Sequence, residues 1–392
     1  MMRDLSIYIH IPFCVRKCRY CDFLSYSASA AEREAYVELL LTEIEKLSLF
    51  YKTHRVISVF IGGGTPSLLE EEAIERIISK LNHDFIFCKT PEITIEANPG
   101  TVTQDKLRCW KRIGINRLSI GLQSADDEEL KTLGRIHDFH TFCNMYDAAC
   151  KAGFQNVNID ILSAVPGQTM QSYERTLEKV LALAPAHISA YSLILEEGTW
   201  FYTHKDELAF PTEDEDRQLY ELTGEMLAEY GYERYEISNY ARPGYECVHN
   251  NVYWKRGDYA GFGLGAASMA EEVRWNNRRD LPGYRDAVRG CLQEKQEPDL
   301  RKRKALRHAL AGDVTYLTRE EQMEEFMFLG LRLINGVSKR DFEEKFGISM
   351  CAVYGDVIED LKKKKLLLED ERVRLTPYGI DISNYVMAKF LL

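Results

Sequence analysis

No stretch of this 392-residue chain approaches the roughly 20 consecutive apolar residues of a membrane-spanning helix, so a helical membrane protein is not expected. The opening MMRDLSIYIHIPFC has one basic residue and no long apolar core behind it, so it does not read as a secretory signal and the cytoplasm is the expected compartment. An excess of positive charge is missing too. Lys and Arg number 50 against 61 Asp and Glu, and a net charge of −11 opposes non-specific binding to nucleic acid or an anionic membrane. A second C-x2-C knuckle is absent, which removes the usual four-cysteine zinc site. What is present is ordinary for a soluble globular protein, 45% hydrophobic and 28% charged. The length exceeds the roughly 250–300 residues at which one core stops growing, which predicts a large domain with a smaller one.

Seven of the ten cysteines, Cys88, Cys109, Cys143, Cys150, Cys247, Cys291 and Cys351, sit singly and read as small buried hydrophobes. The other three, Cys14, Cys18 and Cys21, crowd into HIPFCVRKCRYCDF. Thiolates spaced four and three apart can converge on one centre. A structural zinc wants four ligands and a catalytic zinc usually mixes in His, whereas an iron–sulfur cluster held by three cysteines keeps one iron open for something else.

Six β-branched runs alternate with amphipathic segments from residue 6 to about 195: SIYIHIP, RVISVFIGGG, EITIEANP, NRLSIGLQ, NVNIDILSAVP and HISAYSLIL. A unit of roughly 30 residues is a βαβ repeat, so the fold class is α/β with a parallel sheet, either open or a partial barrel. Ligands of such sheets bind at the carboxyl ends of the strands. Cys14–Cys21 follow the first run, GGGTP (62–66) the second, Glu96 and Asn98 close the third, Gln123 closes the fourth and Asp160 lies in the fifth. After 195 the repeat stops. HNNVYWKRGDYAGFGLGAASM (249–269) reads as irregular chain, 280–310 as charged and helical, and from about 320 a helix, helix, helix, hairpin order resembles a winged helix. The expected division is 1–200, 201–310 and 311–392.

C-x3-C-x2-C with an aromatic before the last cysteine, directly after the first strand of a βα repeat, resembles the radical S-adenosylmethionine (SAM) superfamily. In that superfamily three cysteines hold a 4Fe–4S cluster, the amine and carboxylate of SAM chelate its open iron, and an electron from the cluster cleaves the sulfonium. YIHIPFCVRKCRYCDF, FIGGGTPSLL, ITIEANPG, RLSIGLQS, LGRIHD, NIDILSAVPGQT and the C-terminal LTPYGIDISNYV are similar to the branch that holds oxygen-independent coproporphyrinogen III oxidase and the HemW haem chaperones. The resemblance spans essentially the whole chain. It implies a partial (β/α)6 barrel core with a smaller winged-helix-like α+β domain. It also implies SAM contacts at Tyr8, Tyr20, Gly63, Gly64, Thr65, Glu96, Gln123, Arg135, Asp160 and Ile194. Glycines suit the GGGTP loop because a missing Cβ lets backbone approach a ligand. An ordinary βα turn explains one glycine better than three.

Two departures separate this sequence from the oxidase. The oxidase pattern continues as C-x3-C-x2-C-x-C and carries an extension ahead of the motif, whereas Phe23 stands at the position of the fourth cysteine here and 13 residues precede Cys14. HNNVYW matches the HNxxYW pattern of HemW proteins and implies haem contacts at His249, Asn250, Tyr253 and Trp254. Read without the resemblance, a His beside two aromatics is more often a hydrogen-bonded core residue. His10 reads as structural, and His137, His187 and His204 offer no spacing argument. The run LKKKKLLL invites a third reading, a radical SAM enzyme that modifies nucleic acid, but Glu359, Asp360, Glu369 and Asp370 beside it suit a solvated helix end. The expectation is therefore a radical SAM haem chaperone binding a 4Fe–4S cluster, SAM and haem as cargo. It would deliver haem to apo-haemoproteins of respiration, with transient encounters at the membrane and no nucleic-acid partner. Coproporphyrinogen III oxidase is the rival, and a homodimer stays open.

Overall fold

Each of the six runs forms a strand in which alternate residues part to opposite faces. β1 (Arg3–Ile11), β2 (His54–Gly63), β3 (Phe87–Ala97), β4 (Arg117–Gln123), β5 (Asn156–Ser163) and β6 (His187–Ser192) pair in chain order, all parallel. One face is aliphatic: Ile7, Ile9 and Ile11, Val59 and Ile61, Ile95, Leu118 and Ile120, Ile159 and Ile161 are fully buried. Each such side chain contributes roughly 1.5–3 kcal/mol by leaving water. The computed structural model that shows this describes residues 2–291 and 310–392.

The connections are α1 (Ala30–Ser48), α2 (Glu71–Asp84), α3 (Gln104–Arg112), α4 (Asp127–Leu133), α5 (Phe139–Lys151) and α6 (Met170–Ala182). Their apolar stripes, among them Leu40, Ile44, Ile77, Trp110, Phe142 and Leu177, share one core with the aliphatic strand face. Caps fix their starts: Ser29 and Glu32 form a capping box on α1, and Asp126 and Asp138 accept backbone N–H bonds at α4 and α5.

The described residues of 201–310, with 311–316, lengthen the same sheet at both edges. β7 (Glu233–Arg234) and β8 (Asn239–Ala241) add antiparallel beyond β6. β9 (Tyr259–Phe262) runs parallel to β1, followed by antiparallel β10 (Ala267–Ala270), β11 (Val273–Asn277) and β12 (Ala311–Tyr316), which completes twelve strands. The expectation of irregular chain at 249–269 is thus corrected. HNNVYW lies in a helix, Val248–Trp254, and the Gly- and aromatic-rich stretch behind it supplies β9 and β10. Of the pattern at 280–310, a helix covers Leu281–Cys291, and 292–309 lie outside the described residues.

The C-terminal unit has helices Arg319–Gly330, Lys339–Phe346 and Met350–Lys363, and a small antiparallel sheet of β13 (Val337–Ser338), β15 (Arg372–Leu375) and β14 (Leu367–Glu369) in that order. Phe342, Phe346, Tyr354, Leu361, Val373 and Phe390 give it a core of its own. Half of its lysine run is spent on acids: Lys362 pairs with Glu359 and Glu369 at 2.6 Å each, and Lys364 with Asp360 at 2.7 Å. The buried Arg256 bolts this unit to the sheet, reaching Glu325 at 2.9 Å and Glu272 at 2.5 Å. Among the described residues no helix is long and apolar enough to cross a membrane.

The close approach of β9 to β10 depends on Gly261, where a Cβ would collide with the Ala267 carbonyl oxygen. Gly261→Ala is expected to lower stability by about 1–3 kcal/mol, the usual cost of overpacking, read as a fall in the urea midpoint.

Candidate functional site

At the carboxyl ends of β1–β5 one cavity collects the expected residues. Cys14, Cys18, Tyr20, Cys21, Gly63, Gly64, Thr65, Glu96, Gln123, Arg135 and Asp160 all line it, with Arg16, Lys17, Phe23, Asn98 and Ser119. Local structure explains the gathering. The Cys14 N–H donates to the Tyr26 carbonyl and the Arg19 N–H to the Leu133 carbonyl, so the cysteine loop is tied at one end to its own return and at the other to the end of α4. His10 props it from below, sharing a hydrogen bond through Nε2 with the Leu24 carbonyl (2.9 Å) and through Nδ1 with the Tyr8 hydroxyl (3.0 Å). Gly63 sits directly over that imidazole with φ +112°, and a Cβ on Gly64 would press the Phe13 backbone, so both positions require glycine. Gln123 enters the cavity from a left-handed turn (φ +75°) at a register shift that closes β4.

Arg135 joins these parts. Its guanidinium reaches Cys18 Sγ at 3.6 Å, the Asn98 carboxamide oxygen at 2.6 Å and the Gly121 carbonyl at 2.7 Å, while its buried Nε has no partner. Asn98 donates in turn to the Thr65 hydroxyl, which lies 3.5 Å from Cys14 Sγ. A cation beside one of the three thiols offsets part of the charge that an anionic thiolate cluster carries. Among the described residues no three His, Cys, Asp or Glu gather tightly enough for a single metal ion. Ligands of a multi-iron cluster bind different irons and need no such closeness, so the donor set fits a cluster better than zinc. Burial, aided by Cys18 and Cys14, pushes the Cys21 thiol up to about 11, so a bound metal would be what strips its proton.

Two expected SAM contacts do not line this cavity. Tyr8 shares its strand face with His10 but lies one layer deeper, and Ile194 follows the end of β6 and is 68% exposed.

The polar strand face continues downward as a closed network. Tyr8 faces Phe60 at 6.4 Å between centroids, Phe60 faces His249 at 5.2 Å, and His249 meets Tyr253 edge-on at 5.0 Å. His249 is 1% exposed; its Nδ1 shares a hydrogen bond with Ser58 Oγ (3.0 Å) and its Nε2 with the Tyr253 hydroxyl (2.8 Å). Burial, then the Arg117 charge, lowers its pKa to about 3. Both ring nitrogens are occupied, so this arrangement does not present His249 to a haem iron. The Glu92 carboxylate accepts the backbone N–H groups of Val248 (3.2 Å) and His249 (3.1 Å), capping the Val248–Trp254 helix. Asp258, just beyond, meets His54 and Arg3 where β2 and β1 begin. HNNVYW is therefore a plug at the amino ends of the strands, opposite the cysteines. Asn250 and Trp254 are half-buried at its outer side. Sequence reasoning missed Ser58, Glu92, Arg117, Asn158 and His187, although strict alternation with aliphatic neighbours was their signal.

Residues 8–180 match the radical SAM superfamily and residues 317–382 the HemN C-terminal domain. A protein from Bacillus subtilis (strain 168) described as "Heme chaperone HemW" is 36% identical over 392 residues, covering 98% of this chain and 99% of that one. The chain belongs to the HemW family. Its counterpart from Lactococcus lactis, also "Heme chaperone HemW", is 35% identical across 100% of this HemW-family chain and 98% of its own length. The structure of Escherichia coli coproporphyrinogen III oxidase (HemN), a radical SAM enzyme, superposes with a TM-score of 0.84 over 100% of this chain and 90% of that one. At 23% identity it shows the shared fold: an α/β radical SAM core with a parallel sheet and a small C-terminal domain. Membership of the radical SAM superfamily implies a 4Fe–4S cluster and SAM.

The cavity predicts a pH response. Burial and then the Asp160 charge hold the Glu96 carboxyl up at about 8, against the pull of the Gly63 N–H. Between about pH 4.5 and 8 the folded chain keeps a proton that the unfolded chain has lost, so stability falls as pH rises through that window. Glu96→Gln is expected to flatten this decline in the cluster-free protein, measured as urea midpoints at the two ends of the window.

Proposed function

We propose that this HemW-family chain is a haem carrier that holds a 4Fe–4S cluster through Cys14, Cys18 and Cys21, binds SAM beside it, and passes haem to apo-haemoproteins. Its acceptors on this reading are respiratory apoproteins met from the cytoplasm, in part at the membrane. The observation that carries the reading is likeness along nearly the whole chain to proteins described as haem chaperones. Phe23 favours it over the oxidase: at the position of that pattern's fourth cysteine stands a 62% exposed phenyl ring on the cavity wall.

When bound, the cluster supplies an electron to the SAM sulfonium. The chain's own residues set the conditions. Arg135 offsets thiolate charge beside Cys18 and keeps that charge fixed through Asn98 and Gly121. Gly63 and Gly64 offer the methionyl end of SAM a backbone wall, their missing Cβ atoms making room for His10 and Phe13 behind it. Glu96 and Asp160 offer carboxyl groups to its ammonium and ribose hydroxyls, with Thr65, Gln123 and Tyr20 completing the wall. Tyr8 supports that wall through His10, and Ile194, exposed past the end of β6, is the outermost SAM contact on this reading.

Anaerobically reconstituted protein supplied with SAM and reductant is expected not to convert coproporphyrinogen III to protoporphyrinogen, while haem added to it gives a saturable Soret change. Turnover would overturn the carrier reading. Cys18→Ala is expected to abolish the visible absorption of the reconstituted cluster; full retention would remove Cys18 from the ligand set.

A further inference from the structure

The aromatic stack below the cysteine cavity ends beside a second cavity at the other end of the barrel. Between the last turn of the Val248–Trp254 helix and the winged-helix domain lies a cleft of about 780 Å³, against about 130 Å³ at the cysteines. That volume falls within the roughly 300–1,000 Å³ of cofactor sites. Trp254, Phe326, Leu333 and Val337 supply apolar walls. The indole of Trp254 carries the Arg332 guanidinium 4.4 Å from its ring, and its Nε1–H, shielded from solvent, has no acceptor among the described residues.

Charge is placed unevenly around these walls. Lys255, next to Trp254, is exposed and makes no ion pair among the described residues. Arg372 is spent on the Asn335 and Gly336 carbonyls, at 2.7 Å each. Glu246 and Asp341 also line the cleft, so an anionic ligand must turn its carboxylates towards Lys255 and away from those two. The lining contains no His, Cys or Met, and the Tyr235 hydroxyl is already held by His187 at 2.8 Å. Such a site can recognise a flat, amphipathic, dicarboxylate ring, but it offers the metal at the centre of that ring no imidazole or sulfur.

Resting on the haem-carrier reading, we infer that this interdomain cleft is the haem site, with the macrocycle on Trp254, its propionates at Lys255, and no axial ligand from His249. Weak attachment of the iron suits a carrier that must release its cargo. His249 is then a positioning residue, holding the plug through Ser58 and Tyr253 while Trp254 faces the ligand.

The test is a parallel titration of the full chain with haem, by the Soret band, and with metal-free protoporphyrin IX, by its own fluorescence. Both are expected to bind, with affinities within about tenfold of each other, because recognition lies in the ring and its carboxylates. Trp254→Ala and Lys255→Glu are each expected to weaken both ligands by about tenfold or more. Lys255→Glu changes an exposed residue, so its result stands even if Trp254→Ala fails to fold. Haem binding without protoporphyrin binding would place recognition at the iron and overturn the cleft assignment alone. Unchanged affinity in Lys255→Glu, or in a folded Trp254→Ala, would do the same. Failure of the wild-type chain to bind either ligand would overturn the carrier reading itself.

Discussion

The period of two along a strand is the constraint from which the rest of this molecule follows. On β1–β6 it sends Ile, Leu and Val to one face, where six helices bury them, and commits Ser6, Tyr8, His10, Ser58, Phe60, Glu92, Glu96, Arg117, Ser119, Asn158, Asp160 and His187 to the other. A polar face enclosed in this way must satisfy its own hydrogen bonds. It does so differently at its two ends. At the amino ends of the strands the network closes on itself through the HNNVYW plug, with His249, Glu92 and His187 all engaged. At the carboxyl ends it stays open, and the cysteines, the glycine loop and Arg135 stand around the opening.

The same division separates two kinds of chemistry. The cysteine end is small and electrostatically tuned, with a fixed cation beside Cys18 and the Glu96 and Asp160 carboxyl pKa values both raised by burial, that of Glu96 further by the Asp160 charge. The amino end leads outward to a wide cleft whose walls come from both the core and the C-terminal unit, locked together by Arg256, Arg274 and Glu325. Between them run Tyr8, Phe60, His249 and Tyr253 in ring contact. On the proposed assignment, cofactor and cargo need not compete for one opening.

Much of this was legible in the sequence where the argument depended on periodicity. The six strands, the amphipathic segments between them and most of the cavity residues follow from runs of periodic character and from the rule that loops at strand carboxyl ends converge. Depth was harder to read. Tyr8 obeys the face rule yet sits a layer below the cavity, and Ile194 falls past the last residue of β6, where the chain leaves the sheet. HNNVYW gave no helical signal because one short helix offers too few turns for a period to show. Its cap comes from Glu92, more than 150 residues away in the chain, and the burial of His249 depends on Ser58, equally remote. The added strands β7–β9 are two to four residues long and take their form from their partners rather than from their own composition.

The most direct test of two sites at opposite ends of one barrel is the distance between the reduced cluster and ferric haem, measured by pulsed electron paramagnetic resonance on anaerobically reconstituted, haem-loaded protein. β1 spans nine residues, about 30 Å at 3.3 Å per residue, so separate sites predict a spacing on the order of 20 Å or more. Haem held against the cluster, within about 10 Å and less than half that strand length, would contradict the account.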